Sequence, residues 1–375
     1  MDFAKFKDRG VNLIKKQSPE TIAIIIGALI LVLVIVYWVG KMKGNLFESN
    51  NRRLDYIYPG FPHIRGITKS NARHQYKLRD YYVKTAYNCC ASGDFKHDWV
   101  STKALTTCIR QGARCLDFQV FSIDDRPVIA VSDNTDYSVK GSYNYIPFSK
   151  AMEIISRQAF AGSTCPCPGD PLILHFRIMT KNTPIMEIMA DNISSVFTAS
   201  KRTLGKEYSY ESQGNNIGST DLKELKGKVI IVVDKSHANP TKTKLDEYVN
   251  LTSNSAFMRT LRYDDVKYAP DMQELVDYNK KFMTMCIPNL GQKPENPSPA
   301  LAHKYGCQFV AMSFQKWDNQ MRYYDDFFNT EGSSFVLKPE ELRYKEVRIE
   351  IPKPPPKEYS YKERKVDSDF YSFNI

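Results

Sequence analysis

The sequence has few cysteines, and their spacing excludes two common frameworks for small domains. The eight cysteines are Cys89, Cys90, Cys108, Cys115, Cys165, Cys167, Cys286 and Cys307. They are too few for a disulfide-built fold of this size. Neither the adjacent pair at 89–90 nor the CPC motif at 165–167 has the paired CxxC spacing of a zinc site. We therefore expect mostly free, partly buried thiols.

Charge is absent from one long segment near the N-terminus. Residues 21–40, TIAIIIGALILVLVIVYWVG, contain no charged side chain. At about 1.5 Å rise per residue, a helix of this length spans the ~30 Å hydrocarbon core of a bilayer. A buried core helix would have a polar face, and a signal peptide would have a shorter apolar run and a small-residue cleavage site. We predict a basic N-terminal segment over 1–20 and a single uncleaved transmembrane helix over 21–40, anchored at the interface by Tyr37, Trp38 and Lys41.

Positive charge is concentrated just after the predicted span. Residues 41–80 carry nine Lys or Arg and three acidic residues, within a chain of formal net charge +10. Juxtamembrane basic clusters attract anionic lipid head groups, at about 1 kcal/mol per charge near the surface. The segment has no nucleic-acid-binding motif, so nucleic acid is not an expected partner. We predict a lipid-contacting linker over 41–80, and basic residues on both sides of the span leave the topology open.

Short apolar runs then alternate with segments of helical period. Helical patterns cover 101–112, 148–160 and 183–200. Eight runs have the composition of strands: 81–88, 114–122, 127–133, 171–178, 228–236, 282–289, 306–314 and 333–339. Near-continuous apolar strands alternating with helices predict a parallel sheet covered on both faces. We predict an α/β fold, a (β/α)₈ TIM-type barrel over 81–345, with any site at the C-terminal ends of its strands.

The last segment, 346–375, has a different composition. Its proline cluster favours an extended conformation, and its basic and acidic residues nearly cancel. Five aromatic residues could anchor it in a partner groove: Tyr359, Tyr361, Phe370, Tyr371 and Phe373. A docking tail and a disordered tail both fit this composition.

The order of motifs resembles the catalytic barrel of phosphoinositide-specific phospholipase C. The resemblance covers about residues 80–345, and it rests on ALTTCIRQGARCLDFQVF, DPLILHFRI, LKGKVIIVVDK, GCQFVAMSFQKWDNQM and SSFVLKPEELR in that order. Each motif alone is weak, but their combined order is specific. The chain is also similar to a subgroup of such proteins encoded by large DNA viruses of algae and protists.

The resemblance implies where the catalytic groups would lie. The family cleaves inositol phospholipids with two histidines and a calcium ion held by Asn, Glu, Asp and Glu. In this chain the matched histidine positions hold Tyr87 and Val131. The matched calcium-ligand positions hold Asn88, Asp117, Gln119 and Arg177.

These replacements remove the family's chemistry. Calcium binds six to eight oxygens with net negative charge, so a site with one carboxylate and a guanidinium would repel it, and no metal or cofactor is expected. Valine cannot transfer a proton, and a tyrosine hydroxyl is a poor general acid or base near neutral pH. We expect Arg177 to pair with Asp117 at the metal position. The alternative is that Arg177 replaces calcium in a metal-independent lyase, although the bacterial members that do so keep both histidines.

Two other histidines lie near the expected site. His175 shares a strand face with Arg177 one layer deeper, and we interpret it as a hydrogen-bonded core residue. His237 follows a strand at the rim and is more accessible, but one imidazole does not form an acid–base pair.

The positions that would hold substrate are also changed. Val232 and Asp234 occupy the places of the family's phosphate-binding lysines, and TMCIP at 284–288 lacks the Arg and Tyr of its inositol clamp. Phosphate recognition depends on such donors. We therefore expect no substrate binding in the family's manner.

Together these patterns favour a catalytically inactive, membrane-anchored structural or adaptor protein. The viral resemblance implies a virion component that links an internal membrane to capsid or core proteins, through the barrel surface and the tail. The alternatives are an active, calcium-independent phosphoric diester hydrolase or lyase with a rearranged site, and an anionic-lipid-binding module.

Overall fold

The computed structural model describes residues 18–134, 139–209, 216–345 and 362–375. The chain divides into two compact units, one ending at Arg343 and the other running from Tyr344 to Ile375. Most of the basic segment predicted over 1–20 and the proline-rich part of the tail, 346–361, lie outside the described residues. The domain boundaries set from the sequence stay predictions.

Eight α-helices are present in the described residues. They are α1 (Pro19–Ile57), α2 (Thr102–Arg110), α3 (Phe148–Gln158), α4 (Pro184–Ile193), α5 (Tyr263–Lys267), α6 (Met272–Lys281), α7 (Pro299–Lys304) and α8 (Asn319–Glu331). The three helices predicted after residue 100 correspond to α2, α3 and α4.

Thirteen strands occur in the same part of the chain. They are β1 (Tyr81–Ala86), β2 (Cys115–Ile123), β3 (Arg126–Ala130), β4 (Ile146–Pro147), β5 (Leu172–Ile178), β6 (Val229–Asp234), β7 (Leu251–Ser253), β8 (Met258–Arg262), β9 (Met283–Ile287), β10 (Phe309–Met312), β11 (Phe335–Leu337), β12 (Lys365–Asp367) and β13 (Ser372–Asn374).

Eight parallel strands form the nearly closed barrel. Their order is β7-β6-β5-β2-β1-β10-β9-β8, and every hydrogen-bonded neighbour in this path is parallel. Strands β1, β5 and β6 are buried along their whole length, because helices cover one face and the barrel interior covers the other. The predicted TIM-type barrel is confirmed, and its strands all end at one rim.

Two of the eight runs predicted as barrel strands lie outside the barrel. The run at 127–133 forms β3, which turns back on β2 through Asp124 and Asp125. Both residues have positive φ, +50° and +55°, which suits a tight two-residue hairpin turn. The run at 333–339 forms β11, which pairs antiparallel with β1. Strands β7 and β8 take their places in the barrel, and neither strand was predicted from the sequence.

Helix α1 has two halves with different surroundings. The first half contains an 18-residue window with a mean hydropathy of 3.1, and none of the residues in this window is buried. By length and composition, the helix could cross a membrane. The second half lies against the barrel. The Trp99 indole donates to the Lys43 carbonyl at 3.0 Å, Asn50 Nδ2 donates to Asp98 at 2.8 Å, and Leu54 is buried.

The contacts of α1 also give its direction. The Lys43 carbonyl accepts a hydrogen bond from the loop that follows β1. The carbonyls of Pro59 and Gly60, just beyond the helix, accept hydrogen bonds from residues at the C-terminal end of α2, Arg110 and Gln111. Helix α2 leads away from the strand-end rim, so α1 runs the same way. The apolar half therefore projects beyond the rim at which the barrel strands end.

The eight cysteines and the Asn250 side chain are buried. All eight thiols are free, as predicted, and their burial is more complete than predicted. The sequence contains two N-glycosylation motifs (sequons), NIS at Asn192 and NLT at Asn250. Asn250 is only 4% exposed, and its side-chain oxygen accepts from the Ile231 amide at 2.9 Å. A folded chain therefore cannot present Asn250 for glycosylation, which leaves Asn192 as the accessible sequon.

Lys338 is an ammonium group buried near the end of the barrel chain, and it predicts a pH dependence. Its Nζ donates to the Asn279 carbonyl at 3.0 Å, and burial lowers its pKa to about 7 despite the nearby Asp80 carboxylate. Above pH 7 the folded state releases this proton while the unfolded state keeps it up to about pH 10.4, so stability rises with pH across that window. Between pH 7 and 8.5 we expect the wild type to gain about 1–2 kcal/mol relative to Lys338→Met in urea denaturation. Parallel pH profiles of the two proteins would contradict this assignment.

The second unit contains a two-stranded antiparallel hairpin. Strands β12 and β13 pair from Lys365 with Asn374 to Asp367 with Ser372. The aromatic side chains Phe370, Tyr371 and Phe373 are exposed on it.

Candidate functional site

The candidate site is built at the barrel rim, where β1, β2 and β5 end. Strand β1 leads directly into Tyr87 and Asn88. Asn88 has a φ of +41°, and this turn lets its amide donate to Asp117 Oδ2 at 3.0 Å. Asp117 on β2 lies beside His175 on β5 in the parallel register. Alternation along the strands places Asp117, His175 and Arg177 together on the inner face.

The predicted pair between Asp117 and Arg177 is present and is bidentate. Arg177 Nε donates to Asp117 Oδ1 at 2.9 Å, and Nη2 donates to Oδ2 at 2.6 Å. The same Nη2 donates to Asn88 Oδ1 at 2.8 Å. Asp117 is completely buried, and Arg177 is 3% exposed. One guanidinium therefore binds two of the four positions that match the family's calcium ligands.

The pair holds both groups in their charged forms. Burial alone would raise the pKa of Asp117, but Arg177 and the hydrogen bond from His175 outweigh it and leave that pKa well below its ordinary value. Burial would likewise lower the pKa of Arg177, and the Asp117 carboxylate outweighs it and raises that pKa. The site therefore contains a permanent internal ion pair.

A chain of hydrogen bonds extends the pair deeper into the barrel. His175 Nδ1 lies 2.7 Å from Asp117 Oδ1, and its Nε2 lies 2.9 Å from Ser253 Oγ. The Ser253 hydroxyl donates to Asp234 Oδ2 at 2.9 Å. His175 is thus a hydrogen-bonded core residue, as predicted, and Asp234 belongs to this network.

The carboxylates at the two ends of this chain of hydrogen bonds act as acceptors. Ser253 donates its single hydrogen to Asp234. Asp117 is ionised and can only accept from His175 Nδ1. Burial would raise the pKa of Asp234, yet the neighbouring His175 and hydrogen bonds from Ser236 lower it. Both carboxylates are therefore held in their charged forms.

The carboxylate–imidazole–hydroxyl order also occurs in serine hydrolases, but Ser253 is not placed to act as a nucleophile. In a hydrolase the hydroxyl donates to a neutral imidazole, which removes its proton. Here the Ser253 hydroxyl donates away from His175, and both residues are completely buried.

Tyr87 closes the mouth above the ion pair. Its ring lies 4.7 Å from the Arg177 guanidinium carbon and 5.5 Å from the Phe95 ring. Arg262 Nη1, at the end of β8, lies 3.4 Å from the Tyr87 hydroxyl and donates to the Pro288 carbonyl at 2.9 Å. Tyr87 is 4% exposed, so its packed side chain fills the mouth of the barrel above the ion pair.

The other matched positions are buried as well. Val131 is 1% exposed and belongs to the main apolar core, and Val232 lies opposite His175 in the sheet register. Gln119 uses its side-chain oxygen to accept from the Ser132 amide at 2.8 Å. Three described cavities, of about 470, 270 and 630 Å³, are lined by other residues.

The residues present do not fit a calcium ion. The side-chain oxygens of Asn88, Asp117 and Gln119 already accept hydrogen bonds from Arg177, His175 or backbone amides. The Asn88 Nδ2 atom has no partner among the described residues, but it is a donor, and a cation needs lone pairs. The described residues also contain no group of three or more His, Cys, Asp or Glu side chains placed to hold a metal.

Three residues of the site were not predicted from the sequence. Ser253 and Arg262 come from strands β7 and β8, which were not identified, and Phe95 comes from the loop after β1. A short polar strand such as β8, MRTLR, gives little periodic signal. His237 is half-buried at the rim, and burial lowers its pKa.

Comparisons with known proteins agree with this architecture. The chain matches the family model "Phosphatidylinositol-specific phospholipase C, X domain" over residues 74–235 and the corresponding Y domain over 230–341. No curated protein sequence matches the chain.

Solved structures show the same fold. PLC21 of L. pealei is similar with a TM-score of 0.59 and 18% identity, over 72% of this chain and 38% of that one. PLC21 of S. officinalis has a TM-score of 0.58 and 18% identity, over 77% and 40%. This chain therefore spans about two fifths of the length of these structures. Given the two consecutive domain matches and the shared barrel, the chain belongs to the phosphoinositide-specific phospholipase C-like family.

Proposed function

We propose that this protein is a catalytically inactive, membrane-anchored member of its family that acts as a structural or adaptor module. One observation carries the proposal. The two positions that match the family's histidines hold Tyr87 and Val131, and both are packed into the core above an internally neutralised ion pair. A phosphodiester substrate would find neither a proton-transfer pair nor an open mouth.

Helix α1 supports the membrane part of the proposal. Its exposed large apolar side chains extend from Ile24 to Val39, far more than a solvated helix normally presents. Its second half is fixed to the barrel through Asn50, Asn51 and Leu54. A single span would thus hold the barrel close to a bilayer, with the rim facing the lipid.

The adaptor role follows from what such an anchored barrel can still do. Its flanks and the exposed aromatic hairpin of the second unit are available to protein partners. We propose that these partners are capsid or core proteins around an internal virion membrane, in keeping with the viral resemblance of the sequence.

The catalytic part is tested by assaying the detergent-solubilised full chain. We expect no release of phosphorylated product from phosphatidylinositol, with either calcium or a chelator, above a heat-denatured sample of the same chain. The reason is that the described residues around Arg177 offer no pair of accessible groups that could exchange protons with a bound alcohol. The measurement is product formation over hours at pH 5–8.

A rearranged, calcium-independent enzyme would give the opposite result. Turnover that is lost in Arg177→Ala but kept in Lys304→Ala, an exposed lysine on α7, would overturn the proposal. Circular dichroism of both variants separates loss of chemistry from loss of folding.

A further inference from the structure

We infer that a cavity between helix α1 and the barrel is a binding site for a phosphate group, separate from the matched catalytic positions. The cavity has a volume of about 270 Å³. Arg53 of α1 forms one wall. The loops after β1, β9 and β10 form the others, through Asp94, Lys293, Gln315 and Lys316. It therefore lies at the junction where the predicted membrane anchor joins the barrel.

The lining carries a clear excess of positive charge. Its ionic side chains are three cations, Arg53, Lys293 and Lys316, and one carboxylate, Asp94. Lys293 Nζ contacts Asp94 at 2.8 Å and satisfies that carboxylate. Arg53 forms no hydrogen bond or ion pair with any described residue. Two positive charges are thus left without a counterion around one small cavity.

Hydrogen-bond donors also outnumber acceptors there. Lys316 Nζ donates to the Pro294 carbonyl at 3.0 Å and to the Lys293 carbonyl at 3.4 Å, which leaves one of its three hydrogens. Gln315 Nε2 donates to the Gly93 carbonyl at 3.2 Å and also has one hydrogen left. The Arg53 guanidinium offers five more. A phosphate supplies the acceptor oxygens that this arrangement needs, and charge-assisted bonds to it are the strong ones.

The size and position of the cavity limit the kinds of ligand that it can bind. A volume of about 270 Å³ lies below the usual range for drug-sized ligands, so the cavity suits a single phosphate with a small substituent. A divalent cation is excluded by the two uncompensated positive charges. The phosphate can belong to a lipid head group, since α1 leads into the predicted span, or to a free anion. This inference goes beyond the proposed function and holds whether or not the barrel is catalytic.

The experiment uses the full chain in nanodiscs of neutral phosphatidylcholine. Melting is followed on adding sodium phosphate, with sodium chloride at the same ionic strength as reference, and in a second arm with phosphatidic acid built into the disc. We expect phosphate, phosphatidic acid or both to raise the melting temperature. We expect Arg53→Gln to weaken the apparent affinity for the phosphate group about tenfold, because it removes one charge-assisted hydrogen-bond donor of the cavity.

Arg52→Gln is the matched control. Arg52 is the preceding residue on the same helix, with the same charge, but it is 79% exposed and pairs with Glu48. We expect it to change the apparent affinity less than about twofold, because screening weakens charges that do not touch the ligand. Lys293→Gln should weaken phosphate binding as Arg53→Gln does. Agreement between the two variants would show that the loss of binding does not come from misfolding of one of them.

Each outcome either assigns the phosphate source or overturns the inference. Stabilisation by free phosphate alone assigns the site to a soluble anion, and stabilisation by phosphatidic acid alone assigns it to a lipid head group. Absence of stabilisation in both arms overturns the inference. So does an equal loss in Arg52→Gln and Arg53→Gln, which would show general attraction of anions to a basic helix.

Discussion

Replacement of Asp117 by Asn is expected to lower the free energy of unfolding by about 3–5 kcal/mol, the usual cost of breaking a buried ion pair from one side. Asp117 accepts two hydrogen bonds from Arg177 and one from His175, with all three side chains buried. The variant leaves the buried Arg177 guanidinium without a counterion at that position. Chemical denaturation of the detergent-solubilised full chain measures the change.

Asp55→Asn is the control for this prediction. Asp55 pairs with Lys103 at the surface and its side chain is 57% exposed, so its loss should cost no more than about 1 kcal/mol. The double variant Asp117→Asn with Arg177→Met should be more stable than Asp117→Asn alone, because it removes one unpaired cation. Equal unfolding midpoints for Asp117→Asn and the wild type would contradict the buried pair.

The second large effect is expected when carboxylates are restored at the matched metal positions. Gln119→Asp with Arg177→Glu removes the guanidinium and adds two negative charges beside Asp117. Without metal, three carboxylates then repel one another, and we expect the variant to be several kcal/mol less stable than the wild type. Calcium should reverse part of this loss, by about 2.7 kcal/mol at one hundred times its dissociation constant.

Thermal melting with calcium, magnesium or a chelator measures this linkage. Gln119→Asp alone is the matched control, because Arg177 stays in place and should pair with the new carboxylate instead of admitting an ion. We expect calcium to shift the melting temperature of the double variant only. An equal calcium shift in the wild-type chain would show that the guanidinium does not exclude the metal.

The sequence predicted the barrel and the ion pair because both depend on local patterns. Strand β5, LILHFRI, has His175 and Arg177 two residues apart, so their side chains must share one face of the strand. Once β2 is its neighbour, Asp117 is the acidic side chain within reach. The same logic identified His175 as a core residue.

The rest of the site depends on contacts that periodicity does not encode. Ser253 lies on a three-residue strand and Arg262 ends a strand with a polar pattern, so neither strand was predicted. Tyr87 fills the mouth of the barrel because it packs against Phe95 and lies beside Arg262. Phe95 lies in an irregular loop and Arg262 is far away in the sequence, so neither contact could be predicted. The charge of residues 41–80 predicted lipid contact, but it did not predict that the helix continues to Ile57 and lies against the barrel.

The continuity of helix α1 has a mechanical consequence. Its backbone is helical from Pro19 to Ile57, with no break between the exposed half and the docked half. In a bilayer, such a rod transmits any tilt of its buried part to the whole barrel. Proteins approaching the anchored chain from the aqueous side would then meet the flanks of the barrel and the end at which its strands begin.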